Sequence, residues 1–420
     1  MDKLSKPQIK RCLSLSILFF SGTGFRLIPF EGSIIVYFFI LFLLNPNNLK
    51  KVYRKDIAII LGLNVIIAVF FFIKSDNIPY FLFVAMASAY LVLLNYRVLN
   101  YKERFLTDIT LLLRFYMFYT LGHIFFLFFG RSLFGTTYIQ DWFRQIGYVF
   151  WYIDSGGPSF FNHYRLSGLA WEPGIWQMFL NLNLILALYH KRSIKEIVLS
   201  ILAIIFTFST TGLFILIFVI AAYFLYIRPL KNITVIIIPS LLLLSLSTLI
   251  LGNIEDKLHG KGLVSSVVRF SDFYIGAKML ERSPFIGEDP KSTLDSSDKM
   301  ILNERQRIWD NSEAAGQNSE GFMEAEIVNG FMIFLLDFGL PLGLFLFYKT
   351  FSFNLFNDRK LKNIFIITIL ITLNTEPISR TGFFYFFVLS SLLIKPSKIN
   401  YKIGGNRTFI LNKTQKRIYE

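Results

Sequence analysis

The residues best suited to chemistry lie in one short stretch, which places an arginine seven residues before a glutamate and a proline. The stretch reads Arg-Leu-Ser-Gly-Leu-Ala-Trp-Glu-Pro, from Arg165 to Pro173. An arginine binds phosphate oxygens through a rigid planar fork and keeps its charge at any working pH. A nearby glutamate can orient that arginine or take a proton from a hydroxyl group. We therefore predict that Arg165 binds a phosphate group and that Glu172 is catalytic.

The same stretch also has a purely structural interpretation. Pro173 suits the first turn of a helix, and Glu172 would then lie at the positively polarised start of that helix. Arg165 would simply be a basic residue of the preceding loop. The sequence leaves both interpretations open.

Further basic candidates lie nearer the C-terminus. Arg269 and Arg282 are predicted to bind substrate, although an acidic residue close to each offers an ordinary salt bridge. Arg380 follows Glu376 by four residues. We expect these two side chains to pair, with Arg380 as a third phosphate ligand.

These candidates need a membrane-embedded scaffold to position them. The 420 residues are 54% hydrophobic and 17% charged, with a mean hydropathy of +0.52, which excludes an ordinary soluble protein. Apolar runs recur along the whole chain, with no linker-like composition between them. We therefore predict an all-α polytopic membrane protein that forms a single integral membrane domain over residues 1–420.

The apolar runs predict about twelve membrane crossings. An even number of crossings places most of the 43 lysines and arginines on one side, and basic loops favour the cytoplasm. Both termini are therefore predicted to be cytoplasmic. The predicted segments are 12–28, 32–44, 57–73, 79–95, 106–129, 169–189, 197–209, 211–227, 233–251, 327–348, 363–376 and 380–394.

One continuous apolar run, residues 197–227, must turn back on itself. A single helix would leave its flanking residues Lys195 and Arg228 on opposite sides of the membrane. We place the turn at the small polar residues 209–212. They form either a hinge packed between helices or the floor of an outward-facing cavity.

Two predicted extracytoplasmic loops are long, residues 131–168 and residues 252–326. Loops of this length are usually functional or disordered. The second contains two amphipathic stretches, 267–280 and 300–309, which predict short helices. Arg305 lies in the second of these stretches, and we expect it to face solvent because its surroundings are strongly polar.

The sequence also excludes several classes of site. It contains no nucleotide-binding motif, and its four histidines lack metal-ligand spacing. The lone Cys12 excludes an internal disulfide and a cysteine-based metal site. The net charge of +15 is explained by membrane topology, so nucleic acid is not an expected partner. With no cofactor or metal expected, a group-transfer reaction at the outer face needs an activated substrate such as a lipid diphosphate.

Taken in their order along the chain, the motifs resemble those of the Wzy-type O-antigen and capsule polymerases and the related O-antigen ligases. The resemblance covers roughly residues 100–350. It rests on the Arg-x-x-Gly-x-x-x-Glu-Pro stretch from Arg165, the Ser-Thr-Thr-Gly break at 209–212, Arg269, the Ser-Pro-Phe-Ile-Gly motif at 283–287, Asn329, Gly339 and Gly343.

The resemblance implies a metal-independent glycosyltransferase in the cytoplasmic membrane of a bacterium. Such an enzyme joins oligosaccharide repeat units that are carried on undecaprenyl diphosphate at the outer face. The resemblance further implies that Arg165 and Arg269 bind the diphosphate. It adds Asn329 as a substrate-binding candidate.

One departure from the family pattern bears on the reaction. The ligases carry a histidine immediately before the asparagine, where this chain has Val328. The resemblance therefore favours a polymerase over a ligase. Glu324 and Glu326 then become further candidates for the catalytic base.

The leading hypothesis is a polymerase of the repeat units of O-antigen in lipopolysaccharide, of capsule or of exopolysaccharide. One alternative is an O-antigen ligase, which moves finished glycan to a lipid or protein acceptor. Another is a transporter or flippase of lipid-linked glycan. The expected partners are the undecaprenyl-diphosphate-linked glycan and membrane lipid, with a flippase and a chain-length regulator as candidate protein partners.

Overall fold

A computed structural model describes most of the chain. The described residues are 5–20, 30–74, 80–98, 100–130, 136–140, 143–146, 150–154, 164–170, 172–227, 263–289, 299–312, 327, 329–376, 378 and 381–394. This part of the chain contains thirteen α-helices and one four-stranded sheet. The prediction of a mostly helical protein is confirmed.

We number the helices α1 to α13 in chain order. They are α1 (Lys6–Phe20), α2 (Phe30–Leu44), α3 (Arg54–Ile73), α4 (Tyr80–Leu93), α5 (Tyr101–Phe125), α6 (Pro173–Tyr189), α7 (Ile194–Ile205), α8 (Thr210–Ala222), α9 (Leu263–Arg282), α10 (Lys299–Asp310), α11 (Gly330–Phe351), α12 (Arg359–Leu373) and α13 (Gly382–Leu393). Short 3₁₀ turns occupy Pro46–Lys51 and Leu94–Tyr96, and π-helical turns occupy Phe126–Gly130 and Tyr223–Ile227.

Several helices have the length and composition of membrane spans. Three are long and apolar enough to cross a bilayer, namely Arg54–Ile73, Tyr101–Phe129 and Gly330–Phe351. Four shorter apolar helices are Ile35–Leu44, Leu82–Tyr96, Thr210–Leu225 and Gly382–Leu393. The predicted segment 233–251 lies outside the described residues, and twelve crossings stay a prediction.

Helix α6 forms the centre of the bundle. Each of its residues from Pro173 to Leu188 is buried. Helix α5 runs antiparallel to it, because Trp176 near the start of α6 bonds to Thr120 of α5, whereas His190 just after α6 contacts Thr110. We call the end of the bundle at which α6 begins the upper end, and the opposite end the lower end.

A turn is present within residues 197–227 as predicted, but it occupies 206–209 rather than 209–212, since Thr210 to Gly212 already belong to the next helix. Helix α7 ends at Ile205 and α8 begins at Thr210, with the Ser209 hydroxyl accepting a hydrogen bond from the Gly212 N–H at 3.3 Å. The carbonyl of Gly212 accepts from the Asn181 side chain of α6 at 3.2 Å. The turn therefore packs against the central helix, as the hinge interpretation expects.

A small antiparallel sheet occupies the first long loop, where the sequence pattern did not indicate strands. Its strands are β1 (Thr136–Gln140), β2 (Phe143–Ile146), β3 (Phe150–Asp154) and β4 (Tyr164–Gly168), paired in that order. Leu166 of β4 is fully buried against Leu127, which follows α5. This contact fixes β4, the strand that carries Arg165, on the upper end of the bundle.

The two helices predicted in the second long loop are confirmed as α9 and α10. They pack on the first half of α11 in a second apolar core. Its buried members include Ile275 and Met279 of α9, Ile301 of α10, and Met332 and Leu336 of α11.

Helix α11 is broken at Gly339, which has φ +65° and ψ 171°. Pro341 has no N–H to offer, and the Leu340 N–H donates to the Pro284 carbonyl at 2.8 Å instead of to its own helix. The carbonyls of Leu336 and Asp337 consequently lose their helical donors. The Lys74 ammonium, just after α3, bonds to both, at 2.6 and 2.7 Å.

Candidate functional site

Strand β4 reaches the start of α6 through a close contact at Gly168. This glycine has φ +61°, and a Cβ added to it would lie 2.0 Å from the Trp176 ring. The ring is buried, and its Nε1–H donates to the Thr120 hydroxyl at 2.9 Å. The glycine of the Arg-x-x-Gly motif therefore allows the strand to cross close over the helix, three residues after Arg165.

Glu172 occupies the position immediately before α6. Its backbone is extended, with φ −126° and ψ 135°, and Pro173 follows in the first turn of the helix. The predicted apolar segment 169–189 therefore begins too early, and Glu172 precedes the helix. The Glu172 side chain makes no capping hydrogen bond. The capped-helix interpretation explains Pro173 but leaves the Glu172 carboxylate without a structural task.

Glu376, which follows α12, lies over the same helix start. A Cβ on Gly174 would be 2.0 Å from the Glu376 Oε1 atom, so the missing side chain makes room for this carboxylate. The Glu376 Oε1 atom is 3.5 Å from the Arg269 Nη2 atom of α9. Glu376 is buried, whereas Arg269 keeps about a third of its side chain exposed.

The turn that carries Glu376 is held in place by the start of α11. The Asn329 side chain accepts hydrogen bonds from the N–H groups of Phe331 and Met332 and donates to the Asn374 carbonyl at 2.8 Å. A Cβ on Gly330 would be 2.2 Å from the Glu376 carbonyl oxygen. Asn329 thus caps α11 and anchors the turn, and both tasks occupy its side chain.

Arg165, Glu172, Arg269 and Glu376 therefore form one group of charges at the upper end, which we call the Arg–Glu cluster. Burial and, to a lesser extent, the nearby Glu376 raise the pKa of the Glu172 carboxyl to about 7, although Arg165 and Arg269 oppose the rise. A carboxyl in this range can accept or release a proton near neutral pH. The cluster combines such a carboxyl with two arginines that fit phosphate oxygens.

A second buried pair lies behind Arg269. Asp272 of α9 and Arg305 of α10 are both fully buried. Burial lowers the pKa of the Arg305 guanidinium, and the Asp272 carboxylate opposes this. The Asp272 Oδ2 atom also accepts from the Asn329 N–H at 3.3 Å. Because Asp272 follows Arg269 by three residues on one helix, this network sets the position of Arg269.

The expectation that Arg305 faces solvent is wrong. The signal was present in the sequence, because Ile301, Arg305 and Trp309 are spaced four residues apart and share one helix face. Both apolar members of that face are buried. The arginine is therefore buried with them, and Asp272 is its counter-charge.

The sequence pairs Glu376 with Arg380, and that pairing stays a prediction. In the structure Glu376 pairs with Arg269, and Arg380 lies outside the described residues. The sequence signal for Glu376 was an acid close to the end of an apolar segment, which does not specify a partner. A contact across more than a hundred residues cannot be read from local spacing.

The remaining predicted site residues are not brought to the cluster. Arg282 bonds to Glu288 at 2.6 Å at the far end of α9, about 20 Å along the helix from Arg269. Glu324 and Glu326 lie outside the described residues. The described part of the chain contains no group of three or more His, Cys, Asp or Glu residues that could hold a metal ion.

Comparison of the chain with protein-family models, with curated proteins and with solved structures finds no match. The functional assignment must therefore be argued from the chemistry of the Arg–Glu cluster.

Proposed function

We propose that this protein is a polysaccharide polymerase that joins undecaprenyl-diphosphate-linked repeat units of O-antigen, capsule or exopolysaccharide. One observation carries the proposal. The charges of Arg165 from the first long loop and of Arg269 from the second both lower the pKa of the same carboxyl, that of Glu172. Two arginines suit a diphosphate, and a carboxyl with a pKa near neutral suits a hydroxyl acceptor.

In the proposed reaction a hydroxyl oxygen of the acceptor unit attacks the anomeric carbon of the donor glycan. The bond from that carbon to the phosphate oxygen breaks, and undecaprenyl diphosphate leaves with the bonding electrons. The hydroxyl proton passes to the Glu172 carboxylate. Arg165 and Arg269 act on the negative charge that grows on the leaving group, so they stabilise the transition state more than the ground state.

The proposal places the Arg–Glu cluster at the outer face of a bacterial cytoplasmic membrane, with about twelve crossings and both termini inside. Three long apolar helices and the asymmetric distribution of basic residues support this topology. Reporter fusions at each terminus test it. Some reporters are active only outside the cytoplasm. If such a reporter were active when fused to either terminus, the proposed orientation would be contradicted.

The decisive test is a gel of surface polysaccharide from a strain that lacks the protein, complemented with wild type or with Arg165→Ala. If the protein is a polymerase, complementation with the wild type should restore the long ladder, and complementation with Arg165→Ala should not. Removing one donor to the developing charge should lower the rate by about 10²- to 10³-fold. Arg165→Lys keeps the charge without the planar fork, and we expect it to restore only short chains.

Arg307→Ala is the matched control. Arg307 lies on α10, pairs with Glu304 at 2.8 Å and has 60% of its side chain exposed. Its loss should leave the ladder unchanged. Single attached repeat units in the deletion strain indicate a polymerase, whereas loss of all attached units with accumulation of lipid-linked polymer indicates a ligase. A normal ladder with Arg165→Ala would remove Arg165 from the mechanism.

A further inference from the structure

The Arg–Glu cluster has as many acidic as basic side chains, and this balance constrains how an anion binds to it. Glu376 already lies 3.5 Å from Arg269 and is buried, whereas the Arg269 side chain remains 36% exposed. An incoming phosphate can reach the exposed part of Arg269. It must then compete with a carboxylate that is already in place.

We propose that a diphosphate diester bound by Arg165 and Arg269 displaces the Glu376 carboxylate from Arg269, and that the Glu172–Glu376 pair becomes singly protonated as it does so. This inference deepens the proposed function and rests on it, since it concerns the same cluster. It gives Glu376 the role of an internal competitor for the donor site.

The uptake follows from the charges that face the pair. Two carboxylates at close range cannot both remain ionised once their cations are engaged by another anion. Before binding, Arg165 and Arg269 hold the pKa of Glu172 down against burial and Glu376. When the ligand engages these arginines, that opposition weakens, and the Glu172–Glu376 pair then shares one proton and keeps one ionised carboxylate.

The other charged groups near the pair do not replace these arginines. Behind Arg269, the charges of Asp272 and Arg305 offset each other. Helix α5 brings His123 to this end, buried beside Tyr119 with their ring centroids 6.3 Å apart. After proton uptake the pair retains one ionised carboxylate, which can still accept the proton of the attacking hydroxyl.

Calorimetric titration of the purified full-length protein with symmetrical dimethyl diphosphate tests the inference. Both phosphates of a diester are strong acids, so this probe does not titrate near neutral pH. Titrations in buffers with different ionisation enthalpies then report protons taken up by the protein. At pH 7 we expect uptake of about half a proton, because a carboxyl with a pKa of about 7 is half protonated before binding.

Variants of the cluster show whether Glu376 competes with the ligand for Arg269 or only supports the structure. In Glu376→Gln the competitor is uncharged, so at pH 8 we expect about threefold to tenfold tighter binding. Its proton uptake should be smaller than that of the wild type, and its affinity should depend less on pH, because only burial then raises the pKa of Glu172. Wild-type affinity should fall as pH rises from 6 to 8, and Arg269→Gln should lose binding.

Glu281→Gln is the matched control. Glu281 lies on α9, the helix that carries Arg269, is 72% exposed and pairs only with Lys278 among the described residues. It should bind and take up protons as wild type does. Equal proton uptake by wild type and Glu376→Gln, or weaker binding by Glu376→Gln, would overturn the inference. Failure of both proteins to bind the probe would also overturn it, while the polysaccharide gel would still decide the polymerase proposal on its own.

Discussion

Replacing Glu172 by glutamine should change how the stability of the protein depends on pH. The variant keeps the size and shape of the side chain and removes its ionisation. In the folded protein the pKa of Glu172 rises from its ordinary value of 4.5 to about 7, because of burial and the nearby Glu376. Since each pKa unit corresponds to about 1.4 kcal/mol, ionised Glu172 destabilises the fold by about 3 kcal/mol at high pH.

The sign follows from proton binding. Between pH 4.5 and 7 the folded protein binds more protons at Glu172 than the unfolded chain does. This contribution to stability is therefore complete at low pH and is lost as pH rises through 7. The wild type and Glu172→Gln should unfold at the same temperature below pH 4.5, and the variant should unfold at the higher temperature at pH 8.

Tryptophan fluorescence during heating in detergent measures this difference across the pH range. Glu281→Gln, an exposed replacement on α9, should follow the wild type at every pH. A Glu172→Gln curve that stays parallel to that of the wild type would refute the reasoning, because the stability difference would then not come from ionisation. Destabilisation of the variant at every pH would show that the ionised carboxylate has a structural partner.

Three other substitutions test the scaffold by the same thermal measurement. Gly339→Ala forces a side chain into a conformation that favours glycine, with its Cβ 2.2 Å from a backbone oxygen, and should lower the free energy of unfolding by about 1–3 kcal/mol or more. Gly62→Ala is its control and should lower nothing, because no atom lies within 4 Å of the added Cβ. Asp272→Asn should cost about 3–5 kcal/mol by leaving a buried arginine without its counter-charge, and adding Arg305→Met should restore most of the loss. Lys74→Met removes the donor to two carbonyls and should cost about 1–3 kcal/mol for each that stays unsatisfied. Unchanged unfolding temperatures would contradict these three assignments in turn.

Local patterns in the sequence were sufficient for most of the helical scaffold. Apolar runs indicated most of the helices of the bundle, and amphipathic spacing indicated α9 and α10. The turn before α8 was predictable because small polar residues interrupt an otherwise continuous apolar run. Helix bounds were less accurate, as at Glu172, since hydropathy does not register where a backbone changes from extended to helical.

The candidate site was only partly predictable for the same physical reason. Arg165 and Glu172 are neighbours in sequence, and their chemistry could be inferred together. The contact between Arg269 and Glu376 joins residues more than a hundred positions apart, and it exists only because α9 lies beside the turn that follows α12.

The broken helix α11 also constrains how the protein can be assembled. Lys74 and the Leu336 carbonyl that it satisfies are 262 residues apart in the chain. At a synthesis rate of about 5–20 residues per second, a ribosome needs about 13–50 s to make the intervening chain. During this interval the ammonium group at the end of α3 must remain hydrated or bind another group. The joint in α11 can therefore close only late in synthesis of the chain, after Leu336 has been made.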